Sequence, residues 1–302
     1  MRAVRLSLAE RRFAPEGALV LAALFFGSTF VLVQDAVKDV TPMAYLLLRF
    51  GIGAVALAPF AVRIARRHAV DRRLLARVGV LAGILLFGGY ALQTVGLQYT
   101  SASSAAFITG LYVAFTPVVE AIVRRRLPPR GVLLGVVVAT IGLYLLTGAS
   151  VELGKGEALE LGCAVVFALW IVYQGAYVNR LGAIPLTGVQ LAVVTVIAMP
   201  ATGAAGFGTL TTLALFAAAF TGIMCSSVGL SLQLFAQRRL SPSRTALILL
   251  FEPVFGGLFG YLHGDRLDAL QLFGAAVILA GIGISELTPR RPLEADLLTR
   301  RR

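Results

Sequence analysis

Arginine recurs along this chain in alternate gaps between apolar runs, and that alternation limits the possible folds more than any motif does. Of 27 Lys and Arg residues, 23 fall at the two ends or in every second gap, in clusters such as Arg63–Arg77 and Arg124–Arg130. Only Lys38, Lys155 and Arg266 lie in the intervening gaps, where the acids Asp39, Glu152, Glu157, Asp265 and Asp268 gather. Basic residues are held on the cytoplasmic side of a bilayer. The pattern therefore describes a multi-pass membrane chain with both termini in the cytoplasm.

Composition excludes other classes. The chain is 58% hydrophobic and 14% charged, against about 25% charged in soluble domains. A net charge of +12 invites a nucleic-acid reading, but that requires a basic face on a folded domain, and here the basic residues sit in short gaps. No nucleic-acid partner is expected. No cofactor or metal site is expected either: His68 and His263 are far apart in gaps, and Cys163 and Cys225 lie singly in apolar runs without CxxC spacing. The first apolar run continues into Gln34-Asp35 with no cleavage-site pattern, so it reads as a retained span and not a signal peptide.

A span needs about 20 mostly apolar residues. Ten segments meet this: 17–37, 42–62, 75–96, 102–122, 130–148, 157–178, 184–204, 211–234, 243–261 and 268–286. The seventh and eighth are separated only by a Gly/Thr-rich stretch, yet together they are too long for one crossing at about 1.5 Å per residue.

The chain also repeats. At a shift of 140 residues, Leu92-Gln93 meets Leu232-Gln233, and Ser101, Ser103, Ala106 and Ile108 meet Ser241, Ser243, Ala246 and Ile248. At 141, Phe26 meets Phe167 and Pro59 meets Pro200; at 139, Gly135 meets Gly274 and Gly142 meets Gly281. The shift crosses five spans, an odd number, so the second half must be inverted relative to the first. The opposite charge bias of Arg124–Arg126 and Asp265–Asp268 agrees. The expected fold is an all-α integral membrane protein, ten transmembrane helices as two inverted five-helix repeats. Its parts are a cytoplasmic segment 1–16, repeats 17–148 and 157–286, an outer linker 149–156 and a basic cytoplasmic tail 287–302. Inverted repeats are a hallmark of secondary transporters, because exchanging the conformations of the two halves yields inward-open and outward-open states.

Leu46-Leu-Leu-Arg-Phe50, Tyr99-Thr-Ser-Ala-Ser103 and Phe251-Glu-Pro253, set in two five-span halves, resemble the EamA family of the drug/metabolite transporter superfamily. The resemblance covers roughly residues 17–286. It implies a substrate path between the halves and export of amino acids or related small metabolites from a bacterium across its cytoplasmic (inner) membrane. Other organic solutes or drugs, and uptake or exchange, remain alternatives. A monomer and a homodimer are both compatible with the sequence.

Glu252 lies about ten residues into the ninth span, near the bilayer midplane. A carboxylate there is costly unless paired, hydrated or protonated. Two roles fit: a group that binds substrate or couples protons, and a carboxyl that holds helices together. Arg49 is the one basic residue far from the end of a span, about 10 Å deep, and is a candidate ion-pair partner for Glu252 or a structural arginine. Pro117 and Pro253 are candidate kinks of spans four and nine, offset from one another by a turn. Thr29, Tyr90, Gln93, Tyr112, Trp170 and Gln174 are candidate cavity-lining groups, with interhelical packing as the alternative. Spans five and ten carry small residues four apart, including Gly131 with Gly135 and Ala276 with Ala280, and read as scaffold. Glu120 and Arg124, one turn apart, read as a pair at the interface.

The chain has no GxxxxGK[ST], so it carries no ATP-binding loop of that type. An intramembrane enzyme would need a constellation of acids or metal ligands at depth, and a channel rings of charge or a filter loop; neither is visible. A secondary carrier working by alternating access, with protons as candidate coupling ion, is the reading the sequence favours. It is not expected to be an enzyme.

Overall fold

A computed structural model describes residues 8–146, 154–262 and 268–288. Outside the described residues lie the first seven, positions 149–153 of the expected linker, His263, Asp265, Arg266 and the tail beyond Thr288.

The regular elements of the described residues are helices: α1 (Leu8–Gly27), α2 (Phe30–Asp39), α3 (Pro42–Arg67), α4 (Arg72–Gly96), α5 (Ala102–Gly110), α6 (Tyr112–Arg124), α7 (Arg130–Leu146), α8 (Lys155–Leu181), α9 (Ala183–Ala205), α10 (Thr212–Phe220), α11 (Leu230–Gln237), α12 (Pro242–Leu249), α13 (Phe251–Leu262) and α14 (Ala269–Leu287). A π-helical segment, Thr221–Gly229, joins α10 to α11. Among the described residues, eight helical stretches are long and apolar enough to cross a membrane. The shorter apolar helix α7 and the α12–α13 pair occupy the two remaining expected segments.

Helix starts follow local chemistry. Thr41 accepts a hydrogen bond from Ala44 N with Pro42 at the first helical position, Asp71 accepts from Arg73 N and Leu74 N, and Asp268 forms a reciprocal cap with Gln271. Each satisfies amide groups that have no intrahelical partner. The repeated serines have the same task in both halves. Ser101 caps α5 through Ser104 N, and Ser241 caps α12 through Arg244 N.

Large apolar side chains line the outer surface, among them Val55, Phe60, Ile122, Val196, Phe216 and Phe273. Thr116, Gln174, Gln190 and Glu160 are buried within. That distribution suits lipid outside and polar satisfaction inside.

Equivalent helices of the two halves meet antiparallel. Along α7 and α14, a Cβ on Gly135 would lie 2.5 Å from Gly281 O and one on Gly142 would lie 2.8 Å from Gly274 O, so the backbones touch. Along α3 and α9, Gly51 neighbours Thr195 while Ala61 neighbours Gly188. Other contacts come in exchanged pairs. α4 packs on α8 as α11 packs on α1, and α5 and α6 pack on α8 as α12 and α13 pack on α1.

Two spans are interrupted at matching places. Leu111 (φ −62°, ψ −9°) separates α5 from α6, and Leu250 (φ −65°, ψ −5°) separates α12 from α13. Each donates its amide to the carbonyl three residues back, Ile108 and Leu247, making a tight turn. The expected one-turn offset between proline kinks is therefore not how the backbone breaks. Pro253 follows its interruption as the third residue of α13, whereas Pro117 lies within α6, six residues beyond Leu111. A third interruption, at Ser28-Thr29, divides α1 from α2.

Two charged groups differ from expectation. Glu120 is buried and accepts from Ser243 N at 2.9 Å and from the Ser243 hydroxyl, besides its contact with Arg124 Nε at 3.4 Å. It ties α6 to the N-terminus of α12, where a negative charge is favoured. Arg244, grouped above with the cytoplasmic arginines, is buried and donates to Ser285 O (3.1 Å) and Thr288 O at the end of α14. There it satisfies final-turn carbonyls that the helix leaves free.

Candidate functional site

The interrupted helices, together with α3, α4, α8 and α11, surround a central cavity of about 60 Å³, room for a few waters. Both halves line it. Phe26, Thr29, Phe30 and Val33 come from α1 and α2; Arg49 from α3; Tyr90 and Gln93 from α4; Thr109 and Tyr112 from α5 and α6. The second half contributes Phe167, Trp170 and Ile171 from α8, Leu230 and Gln233 from α11, Leu249 from α12 and Glu252 from α13. Of the residues singled out in the sequence, Glu252, Trp170, Tyr112, Gln93, Thr29, Tyr90 and Arg49 meet here. Gln174, Pro117 and Pro253 do not reach the cavity wall.

The breaks explain two of these positions. Tyr112 is the first residue after Leu111 and Glu252 the second after Leu250. The two correspond at the 140-residue shift, so one backbone device aims a polar side chain at the cavity from each half. The Tyr112 hydroxyl is buried and has no hydrogen-bond partner among the described residues. Helices interrupted near the midplane are a recurrent way to build transporter binding sites.

Arg49 is buried, with 4% exposure. Its Nε donates to Ser226 Oγ at 3.0 Å, and its guanidinium carbon lies 4.5 Å from the Tyr90 ring centroid. Tyr90 is held edge-on between Phe50 and Phe167, with centroids at 5.1 and 5.2 Å. The π segment positions Ser226. It can approach because Gly222 lies against the Arg49 carbonyl, where a Cβ would collide. Thr221 in the same segment hydrogen-bonds the Tyr45 hydroxyl at 2.9 Å. A single π turn widens a helix and often marks a functional site.

Glu252 and Arg49 face the same cavity from opposite halves. Among the described residues there is no ion pair between them within 4.0 Å, and Glu252 has no hydrogen-bond partner. The site thus presents one guanidinium and one carboxyl group that do not contact each other.

Trp170 donates from Nε1 to Gln190 Oε1 at 2.6 Å, and Gln190 Nε2 reaches Gln174 Oε1 at 3.4 Å. Gln174 therefore backs the cavity through Gln190 and Trp170. Thr29 donates from its hydroxyl to Phe26 O at 2.7 Å, a carbonyl that also accepts the Thr29 amide where α1 breaks from α2.

Sequence reasoning missed Glu160. It is fully buried on α8 and accepts from Thr109 Oγ1 at 2.7 Å, while Gln93 Nε2 donates to Thr109 at 3.3 Å. Lying three residues inside the expected sixth span, beside Glu157, it is easily read as an interfacial acid. A carboxylate inside a span boundary was the available signal.

The EamA-like transporter family matches the chain twice, over residues 16–148 and 154–286. A protein of Archaeoglobus fulgidus described as an uncharacterized transporter is 31% identical over 283 residues, covering 92% of this chain and 87% of its own. The uncharacterized transporter YyaM of Bacillus subtilis is 23% identical over 286 residues, covering 86% of this chain and 89% of its own. A solved crystal structure superposes with a TM-score of 0.72 at 16% identity, over 92% of this chain and 99% of its own, which speaks to fold alone.

Proposed function

This chain belongs to the EamA-like transporter family, and from that premise we propose that it carries zwitterionic amino acids or closely related compounds outward by alternating access. Ten crossings in two inverted halves, 17–148 and 157–286, form the carrier, in the cytoplasmic membrane of a bacterium with both termini inside. The antiparallel meeting of α7 with α14 and of α3 with α9 supports the inversion. The segregated arginines support the orientation.

The observation that carries the substrate reading is the separated pair Arg49 and Glu252 on one cavity. A guanidinium pairs a carboxylate in a fork geometry, and a carboxylate accepts from an ammonium. A solute with both charges would bridge the gap that neither side chain closes alone. Phe26, Phe30, Phe167 and Trp170 would receive an apolar side chain. A cavity of about 60 Å³ is smaller than such a solute, so loading requires the halves to separate around the site. Two half-helices ending at Leu111 and Leu250 supply places for that motion.

The test is flux in proteoliposomes. Radiolabelled L-phenylalanine should enter faster when the lumen holds unlabelled L-phenylalanine, and entry should saturate. Phenethylamine and 3-phenylpropionate, each lacking one charge, should compete weakly. Unsaturable conductance would replace the carrier by a channel. Equal competition by the one-charge analogues would remove the zwitterion reading.

A further inference from the structure

Glu160 has a setting that the substrate site does not use. Its Oε2 accepts from Thr109 Oγ1, while Oε1 is buried with no hydrogen-bond partner among the described residues. The carboxyl is wedged where α4 crosses α8. A Cβ on Gly96 would lie 2.7 Å from Oε1, which leaves no space for a hydrated metal ion on that side. Thr109 itself lines the cavity, so one hydroxyl separates this carboxyl from the central site.

No cation among the described residues pairs with Glu160. Ionisable neighbours on α8 are Glu157 and Cys163, about one turn to either side. Glu157 is engaged by the Thr100 hydroxyl. Lys155 lies over the Tyr99 ring at 3.9 Å. Toward the cavity, α4 brings Tyr90, α6 Tyr112 and α13 Glu252. A lone buried charge without counter-ion or full hydrogen bonding costs several kcal/mol, so a charge on Glu160 must be neutralised by something that fits, and a proton does.

Resting on the carrier reading above, we propose that Glu160 is a proton-binding carboxyl of this transporter, linked to the cavity by the Thr109 hydroxyl and serving to couple proton movement to substrate movement. In the step, a hydrated proton in the cavity protonates Thr109 Oγ1 as the Thr109 O–H bond breaks toward Glu160 Oε2. The carboxylate becomes a carboxylic acid, Thr109 is regenerated, and the cavity loses one proton. Reversal releases it. Glu252 is left to the substrate ammonium, so the two acids divide the work.

Infrared difference spectroscopy across a pH titration reads Glu160 without any substrate, using the purified full chain in lipid. A titrating carboxylic-acid C=O band is expected in the parent protein, absent in Glu160→Gln, retained in Glu252→Gln and shifted in midpoint in Thr109→Val. Identical difference spectra for the parent and Glu160→Gln would overturn the proposal. Should Glu160→Gln fail to fold, an unshifted band in Thr109→Val would overturn it equally. In proteoliposomes, Glu160→Gln should lose accumulation of L-phenylalanine driven by a pH gradient yet keep exchange at equal pH. Retained pH-driven accumulation, or a sodium gradient that replaces the pH gradient in the parent, refutes the coupling role. If the parent exchanges no L-phenylalanine, that substrate assignment falls, and the infrared titration still decides whether Glu160 binds the proton.

Discussion

Replacing Arg49 by Met separates two roles open to a buried guanidinium. As a structural group, Arg49 contributes a charge-assisted hydrogen bond to Ser226 worth about 1.5–3 kcal/mol and a desolvated cation–π contact with Tyr90 worth about 2 kcal/mol. Against these stands the desolvation of a charge with no carboxylate partner, several kcal/mol per ion. The opposing terms are of similar size, and Met keeps the apolar stem, so Arg49→Met should change unfolding free energy by less than about 2 kcal/mol. Binding should respond very differently. Loss of a forked contact to a substrate carboxylate removes about 1.5–3 kcal/mol, which weakens affinity roughly 10- to 150-fold. Phenethylamine, without a carboxylate, should bind the variant as it binds the parent. Thermal unfolding and calorimetric titration on one preparation give both numbers. A variant that unfolds far more easily while binding L-phenylalanine unchanged would refute the argument and make Arg49 a structural residue.

Further outcomes follow from other contacts. Exchanging the charges of Arg49 and Glu252 should restore part of the binding lost in each single variant; a swap that never recovers either folding or transport would mean that the two do not act on one ligand. Gly281→Ala should cost about 1–3 kcal/mol by forcing α7 from α14, measurable as lower thermal stability, and parent-like stability would show that the seam yields freely. Trp170→Phe should leave Gln190 Oε1 without its donor at a cost of about 1–3 kcal/mol and weaken L-phenylalanine binding; unchanged values for both would remove Trp170 from the wall. Glu120→Ala should leave Ser243 N and its hydroxyl without their acceptor at the start of α12 and destabilise by about 1.5–3 kcal/mol, read in the same unfolding assay, with no loss expected if the carboxylate is only a surface partner of Arg124.

The helical segments and most of the polar groups that line the cavity were legible because both depend on periodic or one-dimensional signals. Apolar length marks a crossing, charge marks its side, and an ionisable residue far from any span end stands out, as Glu252 and Arg49 did. Other groups were hidden because what defines them is contact across the fold. Arg244 follows a gap and resembles its basic neighbours until α14 ends against it. Glu160 lies near a span end and gains meaning only when Gly96 closes over it. The interruption at Leu250 carries no glycine or proline at the break itself, the one at Leu111 is marked only by Gly110 before it, and proline draws attention to Pro117, where α6 runs on. Nothing in Thr221–Gly229 announces a π helix except small residues, which equally suit an ordinary close-packed helix.

The glycine seam between α7 and α14 bears on the origin of the chain. Gly135 corresponds to Gly274 and Gly142 to Gly281, and across the seam Gly135 touches Gly281 while Gly142 touches Gly274. Each position thus meets the counterpart of the other, the rule for an interface made by two copies of one surface around a two-fold axis. A gene encoding a single half would already hold both sides of this contact, provided its product entered the membrane in both directions. Fusion after duplication then frees each copy to specialise. In this chain the first half carries Arg49 and the second carries Glu252, a division of charge that no pair of identical halves could hold.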